Sequence, residues 1–221
     1  MKKLISILLI LLAASASAAE KPKISFAYDL DFEMRFDNRE FAQSRFTESM
    51  TIFGARLTPQ VGLQLKDEGG AQHRLMAGVD VMKDFGASPI SEIIAGGSTD
   101  ETAKELNNLG LFREITLYYN LLKKIKRTEM EIYAGIFPRR AMEGAWSQAF
   151  FSDSLKFYDN NLEGLLLQLD RPKAHFELGC DWMGQYGADR REKFMIFSSG
   201  EGYPVPFISL GYAAYMYHFA S

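Results

Sequence analysis

The stretch that decides the fold is Ile24-Ser-Phe-Ala-Tyr-Asp-Leu-Asp-Phe-Glu-Met-Arg-Phe36, in which apolar and polar residues alternate. A period of two places the apolar residues on one face of a β-strand and the polar residues on the other. The run is longer than the usual strand of about 5–6 residues, and it suits the roughly 9–11 residues with which a tilted strand crosses a bilayer. The polar face carries charge at four successive positions, Asp29, Asp31, Glu33 and Arg35. That face needs water or charged partners and the other needs lipid or a core, so the pattern predicts a transmembrane β-barrel.

The residues before this strand indicate export. Lys2 and Lys3 are followed by an apolar run over residues 4–12 and then by Ala16-Ser17-Ala18. This order of basic, apolar and small residues is typical of a secretory signal peptide, and the run is short for a membrane-spanning helix. The first residue after the predicted cleavage site is Ala19 and not a cysteine, which argues against a lipoprotein anchor. We therefore predict a signal peptide over residues 1–18 and one barrel domain over residues 19–221.

Composition excludes several classes of function. The formal net charge is −3 for the whole chain and becomes −5 when the two leader lysines are removed, which argues against a nucleic-acid partner. The single cysteine, Cys180, excludes an intrachain disulfide framework. After the leader, no stretch of about 18 apolar residues predicts a transmembrane helix, and barrel strands hide from such a search because every second residue is polar.

Alternating segments recur along the chain, and the connections between them alternate in length. Further segments begin near residues 51, 73, 111, 128, 165 and 175, and the last spans residues 207–219. The connections at 37–48, 85–108 and 138–161 are long, whereas those at 66–70, 123–126 and 171–173 are short. Outer-membrane barrels have long extracellular loops and short periplasmic turns. We therefore favour an outer-membrane barrel of a Gram-negative bacterium over the alternative, a secreted or periplasmic soluble β-protein.

Three local features refine this prediction. Pro59 lies within a strand and predicts a bulge, because proline removes a ladder donor. Residues 98–106 predict a short surface helix. The long connections that contain Ser98 and Trp146 are expected on the outside of the cell, and Lys124 is expected on the periplasmic side.

The number of strands depends on residues 191–203. If they form a loop, the chain has eight strands; if residues 194–198 form a strand followed by a turn at 200–204, it has nine. An odd, open sheet leaves edges unsatisfied in lipid, so nine strands would make the chain the front part of a larger barrel. Outer-membrane barrels usually end on an aromatic residue, whereas Ala220 and Ser221 follow Phe219 here. We favour nine strands and a domain that is incomplete at its C-terminus.

A resemblance is carried by four short motifs, Gly135-Ile-Phe-Pro-Arg-Arg140, Phe150-Phe-Ser-Asp-Ser154, Phe157-Tyr-Asp-Asn160 and Glu163-Gly164. They resemble bacterial outer-membrane porin-type barrels, in which a strand ends in Gly-x-Phe-Pro-Arg. The resemblance implies a channel for the passive diffusion of small polar solutes, and no cofactor is expected. It implies outer-membrane lipid and the barrel-assembly machinery as partners and leaves homo-oligomerisation open. The alternative is a small plugged barrel with a structural or surface-binding role.

The polar positions supply the candidate site residues. The predicted lumen-lining residues are Asp29, Asp31, Glu33, Arg35, Arg56, Arg74, Asp80, Glu114, Glu129, Glu131, Glu177 and Asp181. In a small barrel such charges pair and fill the lumen, whereas in a wide one they line water and favour cations. Arg139 and Arg140 either fold inward as a constriction or meet lipid phosphate at the rim.

Enzyme chemistry is not predicted. The three histidines are His73, His175 and His218, and none lies in a loop with a recognisable nucleophile motif. Asp29 and Asp31 share one strand face and suit Ca²⁺ by type, but solvated lumen carboxylates are commoner. We therefore predict no catalytic residues and no metal site.

The alternation also predicts which side chains face lipid. We expect Phe26, Leu30, Phe53, Leu63, Val79, Leu117, Ile132, Leu167 and Leu178 to point outward, and Asp31, Arg56, Asp80, Glu131 and Asp181 to point inward. On this basis Leu117→Arg is expected to be costly and Thr116→Arg to be mild.

Overall fold

A computed structural model describes residues 23–40, 50–86, 112–185 and 191–219. Within these residues, nine strands form one sheet and follow each other in chain order. They are β1 (Lys23–Arg39), β2 (Met50–Lys66), β3 (Gln72–Asp84), β4 (Phe112–Ile125), β5 (Thr128–Pro138), β6 (Asn161–Arg171), β7 (Ala174–Gly184), β8 (Lys193–Val205) and β9 (Ile208–Phe219). The predicted antiparallel up-and-down meander is confirmed. Within the described residues, the sheet order places β1 and β9 at its two edges.

One face of the sheet is apolar and exposed. The antiparallel register sets Phe26 opposite Leu63 and Leu30 opposite Pro59, so side chains of one kind collect on one side. Leu30 is 65% exposed and Leu117 is 52% exposed. A broad exposed apolar surface is costly in water and suits lipid. We call this the outer face, and the predicted outward direction of Phe26, Leu30, Phe53, Leu63, Leu117 and Leu178 is confirmed.

The opposite face is polar and largely buried, and we call it the inner face. Arg56, Asp80, Glu177 and Asp181 are each no more than 2% exposed. Residues 139–160, between β5 and β6, pack against this face. Adjacent residues of that segment reach distant strands, since Arg139 contacts Asp181 on β7 and Arg140 contacts Asp29 on β1. The sheet therefore curls around the segment.

Several local predictions differ from the structure. Pro59 does not mark a bulge, because Leu57 pairs with Val81 and Gln60 with Gly78 in one unshifted register. The turn after β8 lies at Pro206–Phe207 and not at 200–204, because β8 continues to Val205. Thr116 is 1% exposed, so Thr116→Arg would force a large cation into a packed interior and would not be mild.

Two further predictions fall outside the described residues, namely the signal peptide over residues 1–18 and the helix over residues 98–106. Among the residues that the structure describes, no helix has the length and apolar character required to cross a membrane.

Candidate functional site

Residues 139–160 form a plug segment on the inner face. It begins with a 3₁₀ turn at Arg139–Ala141 and ends with the short helix α1 (Asp153–Tyr158). The Ser152 hydroxyl accepts a hydrogen bond from the Leu155 N–H at 3.0 Å, which satisfies one free donor at the start of α1. The Trp146 indole donates to a buried carboxylate of the sheet, so this side chain faces the inner side. That its connection is accessible from outside the cell stays a prediction.

Arg139 fixes the start of the plug segment. It donates to the Asp181 carboxylate at 2.7 Å and to the Asn161 carbonyl at 2.8 Å. It also donates from Nε to the Asp159 carbonyl at 3.0 Å and from Nη2 to the Asp159 carboxylate at 3.2 Å. Arg139 and Asp181 are almost fully buried. A buried charge needs such a complete set of partners, so this pair fixes one position of the segment.

Arg140 reaches the opposite wall. It forms ion pairs with Asp29, at 2.6 Å, and with Asp31. These pairs are partly exposed and therefore weaker than the Arg139 pair. Both arginines of the predicted constriction lie on the inner side of the curled sheet, and each is matched by carboxylates of the wall.

The helix α1 packs against the arginines of β1 and β2. The Phe157 ring is completely buried, and the guanidinium of Arg56 lies 5.4 Å from its centre. The guanidinium of Arg35 lies 5.7 Å from the same ring. Arg56 also donates to Asp80 at 2.8 Å. Cation–π contacts thus join the plug segment to a buried ion pair of the wall.

Glu177 on β7 holds the middle of the plug segment. Its Oε2 accepts hydrogen bonds from the backbone N–H groups of Glu143, at 2.9 Å, and Gly144, at 3.2 Å. The Gln168 amide donates to the same oxygen at 2.8 Å, and the Trp146 indole donates to Oε1 at 2.8 Å. A Cβ at position 144 would lie 2.7 Å from Nε1 of Trp146 and 2.9 Å from Cβ of Ser199, so a side chain here would force these residues to shift.

Apolar side chains complete the filling of the inner side. Phe151 from the plug segment packs with Phe137, Leu162, Leu166 and Phe197 of the wall in one buried cluster. Trp146 lies edge-on to Phe151 and to Phe197, with ring centres 5.1 and 5.4 Å apart. A loop that carries this much buried apolar surface is part of the core.

The remaining predicted lumen residues have separate environments. Glu131 accepts from Asn120 and Tyr133, and Glu114 accepts from Asn161. Glu33 and Glu129 are exposed. The structure therefore brings Asp29, Asp31, Arg35, Arg56, Glu177 and Asp181 to the plug segment and leaves the others outside this contact.

A polar cavity of about 520 Å³ remains beside Arg140. Its lining includes Asp29, Arg74, Tyr118 and Tyr133. Arg74 donates to the amide oxygens of Gln64 and Gln72, at 3.0 and 3.2 Å. Arg74 therefore already has hydrogen-bond partners at the wall of this cavity, and Arg140 is paired with Asp29.

The three histidines occupy three different places. His73 contacts the Tyr119 hydroxyl at 2.6 Å and Asp67 at 3.4 Å, near a short turn. His175 faces inward and contacts Asp170 at 2.6 Å. These two are held by neighbouring carboxylates.

His218 lies on the outer face near the end of β9. Its ring stacks on Phe194, with centres 4.7 Å apart, and Phe194 stacks on Trp182. This end of the sheet is the one from which the plug segment leaves β5. His218 is exposed, and neither of its nitrogens has a hydrogen-bond partner among the described residues.

Sequence reasoning missed the plug segment and the outer-face position of His218. The sequence does contain a signal for the plug segment, because residues 139–160 carry Trp146, Phe150, Phe151, Phe157 and Tyr158. This aromatic density is unusual for an exposed loop and indicates burial. The direction of His218 was unclear because both faces of residues 207–219 are fairly apolar.

The comparison with protein families gives one match. A family model described as lipid A 3'-O-deacylase-type matches residues 19–209. No curated protein and no solved structure is significantly similar to the chain.

This match corrects two predictions. The resemblance to porin-type barrels is wrong, because the matching family is of an enzyme type and not a porin family. The prediction that the protein is not an enzyme is wrong for the same reason. The short Gly-x-Phe-Pro-Arg motif is not specific to channels. In this structure Pro138 ends a strand and Arg139 fixes an internal segment.

Proposed function

Because the chain belongs to the lipid A 3'-O-deacylase-type family, we propose that it is an outer-membrane esterase that removes an ester-linked acyl chain from lipid A. The family match over residues 19–209 carries this proposal. The exposed apolar outer face supports a position in lipid, where the acyl chains of the substrate are accessible. The plug segment occupies the inner side of the sheet, which supports a reaction on the outer face.

The lengths of the connections support one sidedness for the proposed reaction. In outer-membrane barrels the long connections face the exterior and the short turns face the periplasm. Lipid A lies in the outer leaflet, so its ester groups would meet the end of the sheet that carries the long connections. His218 lies near this end on the outer face, whereas His73 lies near a short turn.

We assign His218 as the general base of this reaction. Its exposed ring has no hydrogen-bond partner in the described part of the chain, and Phe194 holds it by stacking. Imidazole is the side chain that most often serves as a general base in enzymes. The row Trp182–Phe194–His218 offers a flat aromatic surface for the acyl chain on the lipid side.

The reaction is the hydrolysis of an ester. The oxygen of a water molecule attacks the acyl carbonyl carbon while the His218 imidazole takes one proton from that water. The bond between the carbonyl carbon and the sugar oxygen then breaks, and the imidazolium returns the proton to the sugar oxygen. The products are a free fatty acid and a lipid with one new hydroxyl group.

The test uses the protein folded in vesicles that contain lipid A. Mass spectrometry of the extracted lipid is expected to show loss of one acyl chain, and His218→Gln is expected to slow this loss by about 10²–10⁴-fold. His73→Gln is the matched control, because it removes another outer-face imidazole near the other end. Equal rates for the wild type and His218→Gln would exclude His218 as the base.

The second candidate is a small plugged barrel with a structural or surface-binding role. The dense packing of the plug segment favours it, because the inner side is filled by Arg139, Phe151 and Phe157. Mass spectrometry of the extracted lipid A distinguishes the esterase from the structural role. A folded wild-type protein that never releases fatty acid would support the structural role and refute the esterase.

A further inference from the structure

A group of metal-ligating side chains lies where the plug segment meets β6 and β7. Glu143 comes from the plug segment, Asp170 from the end of β6 and His175 from the start of β7. One ligand atom of each residue lies within 4.8 Å of those of the other two. The group is separate from His218, which faces outward at the other end of the sheet.

The group carries an excess of negative charge. Oε2 of the completely buried Glu177 lies 3.7 Å from Nε2 of His175, and Glu131 adds a further negative charge near Glu143. Among the described residues, no lysine or arginine forms an ion pair with Glu143, Asp170 or Glu177; their charged contact is with His175. Burial raises the pKa of Glu143, and repulsion from Asp170 raises it further, while His175 opposes the shift. Three carboxylates around one imidazole form a site that a cation would stabilise.

One nitrogen of the imidazole also lacks a partner. The contact with Asp170, at 2.6 Å, occupies Nδ1. Nε2 is buried and makes no hydrogen bond within the described part of the chain. Oε2 of Glu177 lies 3.7 Å from Nε2, which is too long for a hydrogen bond, and that oxygen already accepts three N–H groups. An ion shared by Asp170 and Nδ1 would leave the imidazole proton on Nε2, where Glu177 is the neighbouring carboxylate, as is usual for the second nitrogen of a metal-binding histidine.

We propose that Glu143, Asp170 and His175 bind a divalent transition-metal ion, with Zn²⁺ as the best match. One imidazole nitrogen and two carboxylate oxygens form a donor set that Zn²⁺ accepts, with a remaining position for water. Ca²⁺ and Mg²⁺ prefer oxygen ligands alone, so the imidazole argues against them. Because Glu143 belongs to the plug segment and the other ligands belong to the wall, the ion would tie the segment to the sheet.

The experiment titrates the refolded full chain in detergent micelles with Zn²⁺ and measures binding by calorimetry and the Tm by a thermal melt. We expect saturable binding of one ion and a rise in Tm. We expect His175→Gln, Asp170→Asn and Glu143→Gln each to weaken binding by about tenfold or more. His73→Gln is the matched control, because His73 also contacts a carboxylate, Asp67, but lacks a third ligand, and it should bind as the wild type does.

A second measurement covers variants that fold poorly. Glu143 is exposed and lies in the plug segment, so Glu143→Gln should leave the sheet intact. Zn²⁺ is expected to protect residues 139–160 from limited proteolysis in the wild type and not in Glu143→Gln. The proposal is overturned if Zn²⁺ does not bind, if binding is unchanged in His175→Gln and Glu143→Gln, or if His73→Gln abolishes it.

Discussion

At the scale of single residues, burial separates two neighbouring arginines that have the same chemistry. Arg139 and Asp181 form a pair in which both side chains are 3% exposed. Arg140 and Asp29 form a pair in which the side chains are 35% and 51% exposed. Water screens the second pair and not the first, so the two should differ in their effect on stability although the arginines are adjacent in sequence.

The first prediction compares the carboxylates of these two pairs. Asp181→Ala leaves the buried Arg139 guanidinium without its main partner, and we expect a loss of about 3–5 kcal/mol in the free energy of unfolding. Asp29→Ala should cost less than about 1 kcal/mol, because Arg140 stays hydrated and keeps Asp31. Denaturant unfolding in lipid vesicles measures both, and equal losses would show that the Arg139 pair does not hold the plug segment.

The second prediction concerns Gly135 in β5. Its φ of +127° is a region that side chains rarely adopt, and a Cβ there would lie 2.3 Å from the Leu117 carbonyl oxygen. We expect Gly135→Ala to cost about 1–3 kcal/mol, because the strain is added to a steric clash. Gly69→Ala is the control, since a Cβ at Gly69 would meet only ordinary contacts, the closest at 3.4 Å. The same unfolding assay applies, and a neutral Gly135→Ala would contradict this backbone geometry.

At the scale of elements, the sequence predicted the strands because a period of two is a local property. The residues 24–36 alternate in sequence and form the middle of β1 in the structure. The bounds were harder to predict. Residues 200–204 carry two glycines and a proline and predict a turn, yet residues 200–202 pair with β9, and β8 continues through a register shift to Val205. Pairing with a neighbouring strand decided this, and local propensity does not contain that information.

The third prediction tests the outer face. Leu117→Arg places a charge on the exposed face of β4, and we expect a loss of about 2–4 kcal/mol near the middle of the bilayer. Gln148→Arg is the control, because Gln148 is exposed in the plug segment and lies outside the strands. Folding in vesicles measures both variants. Comparable losses would argue that the outer face does not contact hydrocarbon.

At the scale of the whole molecule, the sequence predicts that the inner side is rich in charge. It does not predict which segment of the chain fills that side. Which loop folds inward depends on contacts such as those of Glu177 with Glu143 and Trp146, which join residues more than 30 positions apart. No local pattern specifies such pairs. The enzyme class was likewise missed, because none of the three histidines has a motif around it that indicates catalysis.

The fourth prediction concerns conductance. Because Phe151 and Phe157 are buried on the inner side with the rest of the plug segment, we expect no stepwise ion conductance from the folded protein in a planar bilayer. A variant that carries both Asp181→Ala and Glu177→Ala removes two attachments of the segment and should show intermittent openings. A steady open channel from the wild type would contradict the packed inner side.

The most direct test of the central claim is the mass spectrum of lipid A after incubation with the folded wild-type protein in vesicles. The proposed esterase predicts a lipid A species that lacks one ester-linked acyl chain, together with an equal amount of free fatty acid that increases with protein concentration. Lipid A of unchanged mass after prolonged incubation, with protein shown to be folded, would contradict the account.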